Sequence, residues 1–89
     1  MTSQQRERDA ELHARERLQG LIAAAVLRAL GRPDDLQAVQ VRWLWDDNYR
    51  VNVLTGADAA SAVIAHSHFL RADAAGLIVE ASPAIEKRY

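Results

Sequence analysis

Val39-Gln40-Val41-Arg42-Trp43-Leu44-Trp45-Asp46-Asp47-Asn48-Tyr49-Arg50-Val51-Asn52-Val53-Leu54 is the stretch that decides the fold. Apolar and polar residues alternate with period two on both sides of Asp46-Asp47-Asn48, a cluster of turn formers. This is the pattern of a hairpin that buries one face. Residues 39–45 and 49–54 therefore read as two antiparallel strands, and Thr55-Gly56-Ala57-Asp58 breaks the second. Residues 61–70 read as a third, longer strand, 72–76 as a turn and 77–81 as a fourth, short strand that Ser82-Pro83 ends. Residues 84–89 are expected to form either a fifth edge strand or an irregular tail.

N-terminal to this region the period changes to that of a helix. Leu18, Leu21, Ile22, Ala25, Val26, Ala29 and Leu30 recur at three- and four-residue steps and fall on one face. Leu12 and Ala14 continue the stripe weakly. Thr2 or Ser3 can cap the helix start, and Thr2 with Gln5 fits a capping box. Gly31, in a left-handed position, and Pro33 are expected to stop it. Gly20 lies inside the helix at a cost of about 1 kcal/mol relative to Ala, so a break or a close backbone approach is expected there. Residues 4–17 are nearly all charged or polar, with Glu11 and Arg15 attracting and Glu7 and Glu11 repelling. They are expected to extend from the body or fray, unless a partner covers them.

The expected organisation is a charged helical extension at 1–17, a single domain at 18–82 and a tail at 83–89. The fold class is α+β: one long N-terminal helix packed on a four-stranded antiparallel meander, in the order α-β-β-β-β, because short connections favour antiparallel neighbours. The 89 residues are 49% apolar and 26% charged, which excludes a disordered tail, a collagen-like chain and a coiled-coil rod. Eleven basic residues stand against twelve acidic ones, without the basic excess of a dedicated nucleic-acid binder. There is no cysteine, so disulfides and thiol chemistry are excluded. Residues 1–9 are polar and the longest apolar stretch, 21–27, is far short of the roughly 20 residues of a membrane span. A cytoplasmic protein is expected. Ten of the eleven basic residues are Arg and alanine is abundant, a bias of GC-rich bacterial genomes.

Strand parity sorts the side chains into two faces. The first carries Val39, Val41, Trp43, Trp45, Tyr49, Val51, Val53, Val63, Ala65, Ser67, Phe69, Leu77, Val79 and Ala81, and is expected to pack on the helix. The second carries Gln40, Arg42, Leu44, Arg50, Asn52, Leu54, Ile64, His66, His68, Leu70, Ile78 and Glu80, and is expected to lie open. A three-residue loop at 46–48 pairs Trp45 with Tyr49, whereas a two-residue loop inverts the faces. The expected rows are then Arg42, Asn52, His66 and Glu80, and beside it Leu44, Arg50, His68 and Ile78.

That open face is the candidate site. Leu44, Leu54, Ile64, Leu70 and Ile78 are too many apolar residues to stay wet without a reason. A small association domain follows, either a homodimer or an accessory subunit of a larger assembly, using Arg42, Arg50, Asn52, His66, His68, Glu80, Leu44, Ile64 and Ile78. The partner is the chain itself or another protein, or a small-molecule ligand. The competing reading is a small pocket enzyme or a metal-binding protein on the same face. His66 and His68, spaced two apart on a strand, together with Glu80 would form a two-histidine, one-carboxylate metal set. As an enzyme, His66 oriented by Glu80 would be a base, with Asn52 and Arg42 holding an anion. No nucleophile motif, phosphate loop or cofactor signature accompanies them, so no catalytic residue and no cofactor is assigned and the balance leans away from catalysis. Nucleic acid is not expected, because sheet-type binders stack bases on aromatic residues and Trp43, Trp45, Tyr49 and Phe69 all sort to the helix side.

One helix followed by an antiparallel meander resembles, over residues 12–81, the cystatin-like and nuclear transport factor 2-like α+β folds in element order. The resemblance implies a fold and no activity. Gln40-Val41-Arg42-Trp43, the string nearest the cystatin Gln-Val-x-Val-Gly motif, departs from it. The lid helices of the second family are lacking, so a ligand cavity would have to be shared between subunits.

Overall fold

Thr2 starts the helix. In the computed structural model, which describes residues 2–89, the Gln5 N–H donates to the Thr2 hydroxyl at 3.2 Å and the Thr2 N–H donates to the Gln5 side chain at 3.0 Å. This is the reciprocal capping box read from the sequence. Helix α1 (Ser3–Leu30) then runs 28 residues without a break. Gly20 marks neither a kink nor a close approach, since nothing lies within 4 Å of the position a Cβ would take. Only the C-terminal half is packed: Ile22, Ala25, Val26 and Leu30 are buried, while residues 3–17 are exposed along their whole length. Arg15 lays its guanidinium 4.9 Å from the centre of the Trp43 ring, a cation–π contact from the exposed half of the helix to the residues that follow it. The first residue of the extension expected at 1–17 lies outside the described residues.

Strands β1 (Leu36–Trp45), β2 (Asn48–Thr55), β3 (Val63–Ala72) and β4 (Ile78–Ser82) form one antiparallel sheet in the order β1-β2-β3-β4. The α+β meander is the one expected. One face packs on α1 through a core of Ile22, Val26, Leu30, Tyr49, Val51, Val53, Leu70 and Ala72. Sheets of this kind bury one face and leave the other available to solvent.

Three registers differ from expectation. The first hairpin turns on two residues, Asp46 and Asp47, with Trp45 opposite Asn48 and Trp43 opposite Tyr49. Asp46 takes a positive φ of 48°, which Asp tolerates better than most residues. Leu44 is the extra residue of a β-bulge, and that bulge restores the parity a two-residue loop would otherwise invert. Val39, Val41 and Trp43 therefore stay on the helix side, Trp45 is turned to the open side, and Arg42 faces Arg50 rather than Asn52.

The second difference inverts a strand. Ala59–Ser61 form a single 3₁₀ turn capped by Asp58, so β3 begins and ends two residues later than expected. A further irregularity falls between Val53 and Leu54. In consequence Asn52 faces Ser67 and Arg50 faces Phe69, while His66 and His68 oppose the core residues Val53 and Val51. The third difference is on β4: Glu80 pairs with Arg71 instead of a histidine, and Ile78 pairs with buried Ala72 and packs against the core.

Residues 83–89 form no strand. They pass back over the end of α1, where the backbone N–H groups of Arg88 and Tyr89 donate to the Leu30 carbonyl at 2.7 and 3.1 Å. Those bonds satisfy a carbonyl that a helix end leaves without an internal partner. Gly31, which connects α1 to β1, has φ 89° and ψ 161°, an extended backbone with positive φ rather than the left-handed helical one expected.

Candidate functional site: the open sheet face and the strapped histidines

The pairing of the four strands places the open-face side chains in rows across the sheet. At the end near the 3₁₀ turn lie Ala38, Leu54 and Ile64. Next come Gln40, Asn52 and Ser67, with the Ser67 hydroxyl donating to Asn52 Oδ1 at 2.6 Å. The third row is Arg42, Arg50, Phe69 and Ser82, and the last is Trp45, Asn48, Arg71 and Glu80. Trp45 leans across to Phe69, with ring centres 5.8 Å apart and planes tilted by 41°. The Arg50 guanidinium carbon lies 6.0 Å from the Phe69 ring centre.

The three arginines of this end are not equivalent. Arg71 donates to Glu80 at 3.3 Å and approaches Asp47 at 4.0 Å. Arg42 and Arg50 stand directly opposite each other, and neither has an ion-pair partner among the described residues. Like charges opposed across a strand pair are unfavourable by some tenths of a kcal/mol. A pocket of about 420 Å³ opens toward the β4 edge of this end, lined by Asn48, Phe69, Arg71 and Glu80 among others.

On the opposite, helix-side face the C-terminal strap closes over the two histidines. His68 is buried, and its Nδ1 lies 2.7 Å from the Pro83 carbonyl. A carbonyl only accepts, so Nδ1 carries the hydrogen. Nε2 of the same ring is buried with no partner, at a cost on the order of 1–3 kcal/mol. His66 Nε2 lies 2.9 Å from the Tyr89 hydroxyl, and the two rings meet edge to face with centres 5.7 Å apart. Burial chiefly, and then the nearby charges of His68 and Arg88, hold His66 below its ordinary pKa of 6.5. A pocket of about 330 Å³ lies between β3 and the strap.

Of the residues named from the sequence, Arg42, Arg50, Asn52, Glu80 and Ile64 lie on the open face. Leu44 is the half-buried bulge residue, and His66, His68 and Ile78 belong to the helix side. The row Arg42, Asn52, His66, Glu80 does not exist. His66 and His68 are on the other side of the sheet from Glu80, which is held by Arg71, so the proposed metal triad and the His66–Glu80 acid–base pair are not assembled. Among the described residues no group of three or more His, Cys, Asp or Glu is placed to hold a metal ion. Trp45, Phe69, Ser67 and Arg71 on the open face, and Pro83 and Tyr89 over the histidines, were the residues sequence reasoning missed.

The lowered pKa of His66 has a testable sign. The folded chain takes up this proton less readily than the unfolded chain, so the contribution of His66 to stability is whole above pH 6.5 and declines as pH falls below it. It levels off once the folded ring also protonates. Thermal melts of the wild type and of His66→Gln at pH 7.5 and 5.0 are expected to show a wild-type advantage at pH 7.5 that narrows at pH 5.0. An advantage that widens in acid would reverse the sign.

No helix of the described chain is long and apolar enough to cross a membrane. No protein-family model, curated protein or solved structure matches this sequence and fold, so the assignment rests on the geometry alone.

Proposed function

We propose that the chain is an association domain, whose working surface is the open face of the sheet and whose first partner is a second copy of itself. The observation that carries this is the uncovered row Ala38, Leu54, Ile64, in which Ile64 is 57% exposed. A two-fold interface sets a patch against itself, so it favours a surface that is self-complementary. An uncharged apolar row meets that condition and the opposed Arg42 and Arg50 do not. The interface is therefore assigned to the end of the face near the 3₁₀ turn. The same reading retains a bacterial cytoplasmic setting, on the cysteine-free, arginine-rich composition.

Light scattering on a sizing column at two concentrations tests it. The wild type is expected to exceed 9.9 kDa and to approach twice that mass as concentration rises. Ile64→Arg, on an exposed position, is expected to stay at the monomer mass with an unchanged circular dichroism spectrum. A wild type that remains monomeric at both concentrations would overturn self-association.

A further inference from the structure

We infer that the other end of the open face, formed by Arg42, Arg50, Trp45 and Phe69, binds single-stranded nucleic acid. Arg42 and Arg50 are brought into direct opposition by the β1–β2 register, and neither has an acidic partner among the described residues. An anion between them relieves their repulsion and is held by two guanidiniums at once. The projecting half of α1 offers no net negative charge in its place. The exposed half of α1 mixes Arg6, Arg8, Arg15 and Arg17 with Glu7, Asp9, Glu11 and Glu16.

Aromatic placement narrows the class of anion. Trp45 is 53% exposed and Phe69 half-buried; Phe69 adjoins both Trp45 and the Arg50 guanidinium, on the face that Arg42 shares. Unpaired bases stack on such rings while arginines hold the backbone, the combination that sheet-type single-strand binders use. Asn48, Ser82 and the Asn52–Ser67 pair flank the rings with donors and acceptors for base edges. A duplex hides its base faces in its own stack and presents no such surface. Arg71, neutralised by Glu80 and Asp47, is not counted among the phosphate contacts.

This inference goes beyond self-association and uses different residues. Arg50 and Leu54 are four positions apart on β2, about 13 Å at the rise of a strand. With two phosphates engaged, the salt dependence is expected to be shallow: a slope of log K against log salt near −1.4, from about −0.7 per phosphate on a single strand.

The experiment is fluorescence anisotropy with a labelled oligo-dT of about twelve nucleotides, within the length such platforms span, and with a duplex of equal length, at low and moderate salt. The single strand is expected to bind the full chain and the duplex to bind more weakly. Trp45→Ala, at an exposed position, is expected to weaken single-strand binding about 5- to 150-fold, the range for loss of one stacked base. Arg50→Gln is expected to reduce the slope to about −0.7, and His66→Gln on the opposite face to leave binding unchanged. Equal binding of single strand, duplex and inorganic polyphosphate, insensitive to Trp45→Ala, would reduce the site to a nonspecific anion contact and overturn the inference. Absence of binding at low salt would also overturn it. If the wild type is then still a dimer that Ile64→Arg dissociates, self-association stands while this inference falls.

Discussion

Leu70→Ala is expected to lower the unfolding free energy by about 3 kcal/mol, within the range of about 2–5 for truncating a buried leucine. Leu70 is fully buried between Tyr49 on β2 and Ala81 on β4, in the cluster that includes Ile22, Val26 and Leu30. Truncation loses the transfer free energy of the side chain and leaves a cavity that a close-packed interior fills only in part. A chain of 89 residues has a total stability of roughly 4–13 kcal/mol at 0.05–0.15 per residue. The loss is thus a large part of the whole and shifts the melting temperature down by about 12–24 °C. Leu77→Ala, at a residue 58% exposed, is expected to stay within about 0.5 kcal/mol of wild type. Phe69→Ala makes the comparison decisive. Phe69 faces the half-open side and is expected to cost less than Leu70, whereas strand parity in the opposite sense requires the reverse. Urea titration of the three variants with an unchanged m-value measures this directly, and a larger loss for Phe69→Ala would mean that β3 is turned over.

That comparison bears on what the sequence makes legible. The helix with its Thr2 cap, the four strands and the meander follow from local signals: apolar periodicity, turn formers and short connections. Val39, Val41, Trp43, Tyr49, Val51 and Val53 alternate without ambiguity, and all lie on the helix side. β3 carries no such bias. In Ala65-His66-Ser67-His68-Phe69-Leu70 either parity buries one large apolar residue and exposes another, so the side is set by bulges and partners that alternation does not encode. One local signal was available. Extending the strand to Ala72 includes Arg71, and a guanidinium is costly to bury. Placing Arg71 outside places Ser67 and Phe69 outside with it and sends His66 and His68 inward. The histidines are tolerated there because distant residues satisfy one nitrogen of each, Pro83 through its carbonyl and Tyr89 through its hydroxyl. Those contacts span 15 and 23 residues and have no periodic trace. The same holds for the aromatic end of the open face: Trp45 reaches it only through the bulge at Leu44.

Gly31→Ala is expected to cost about 2–3 kcal/mol, and the reason joins the helix, the strap and the histidines. With φ 89° and ψ 161°, Gly31 occupies backbone space that is nearly closed to residues with a Cβ, a penalty of order 1–3 kcal/mol. A methyl group added there also falls on the Tyr89 carbonyl, which is backbone and cannot swing aside. The strap must lift, and it is held at this point by the Arg88 and Tyr89 N–H bonds to Leu30. Its displacement breaks the His66–Tyr89 hydrogen bond and opens the pocket beside His68 to water. Two readouts separate strain from displacement. A thermal melt reports the total loss, and the imidazole titration of His66, followed by NMR, reports the strap. If the strap lifts, the burial and the Arg88 charge that depress the His66 pKa are removed together, and the titration moves up toward 6.5. Tyr89→Phe removes only the hydroxyl and is expected to leave the ring contact, most of the depression and most of the stability in place. A Gly31→Ala chain that melts early while His66 titrates as in wild type would show that the cost is backbone strain alone and that the strap yields without leaving the histidines.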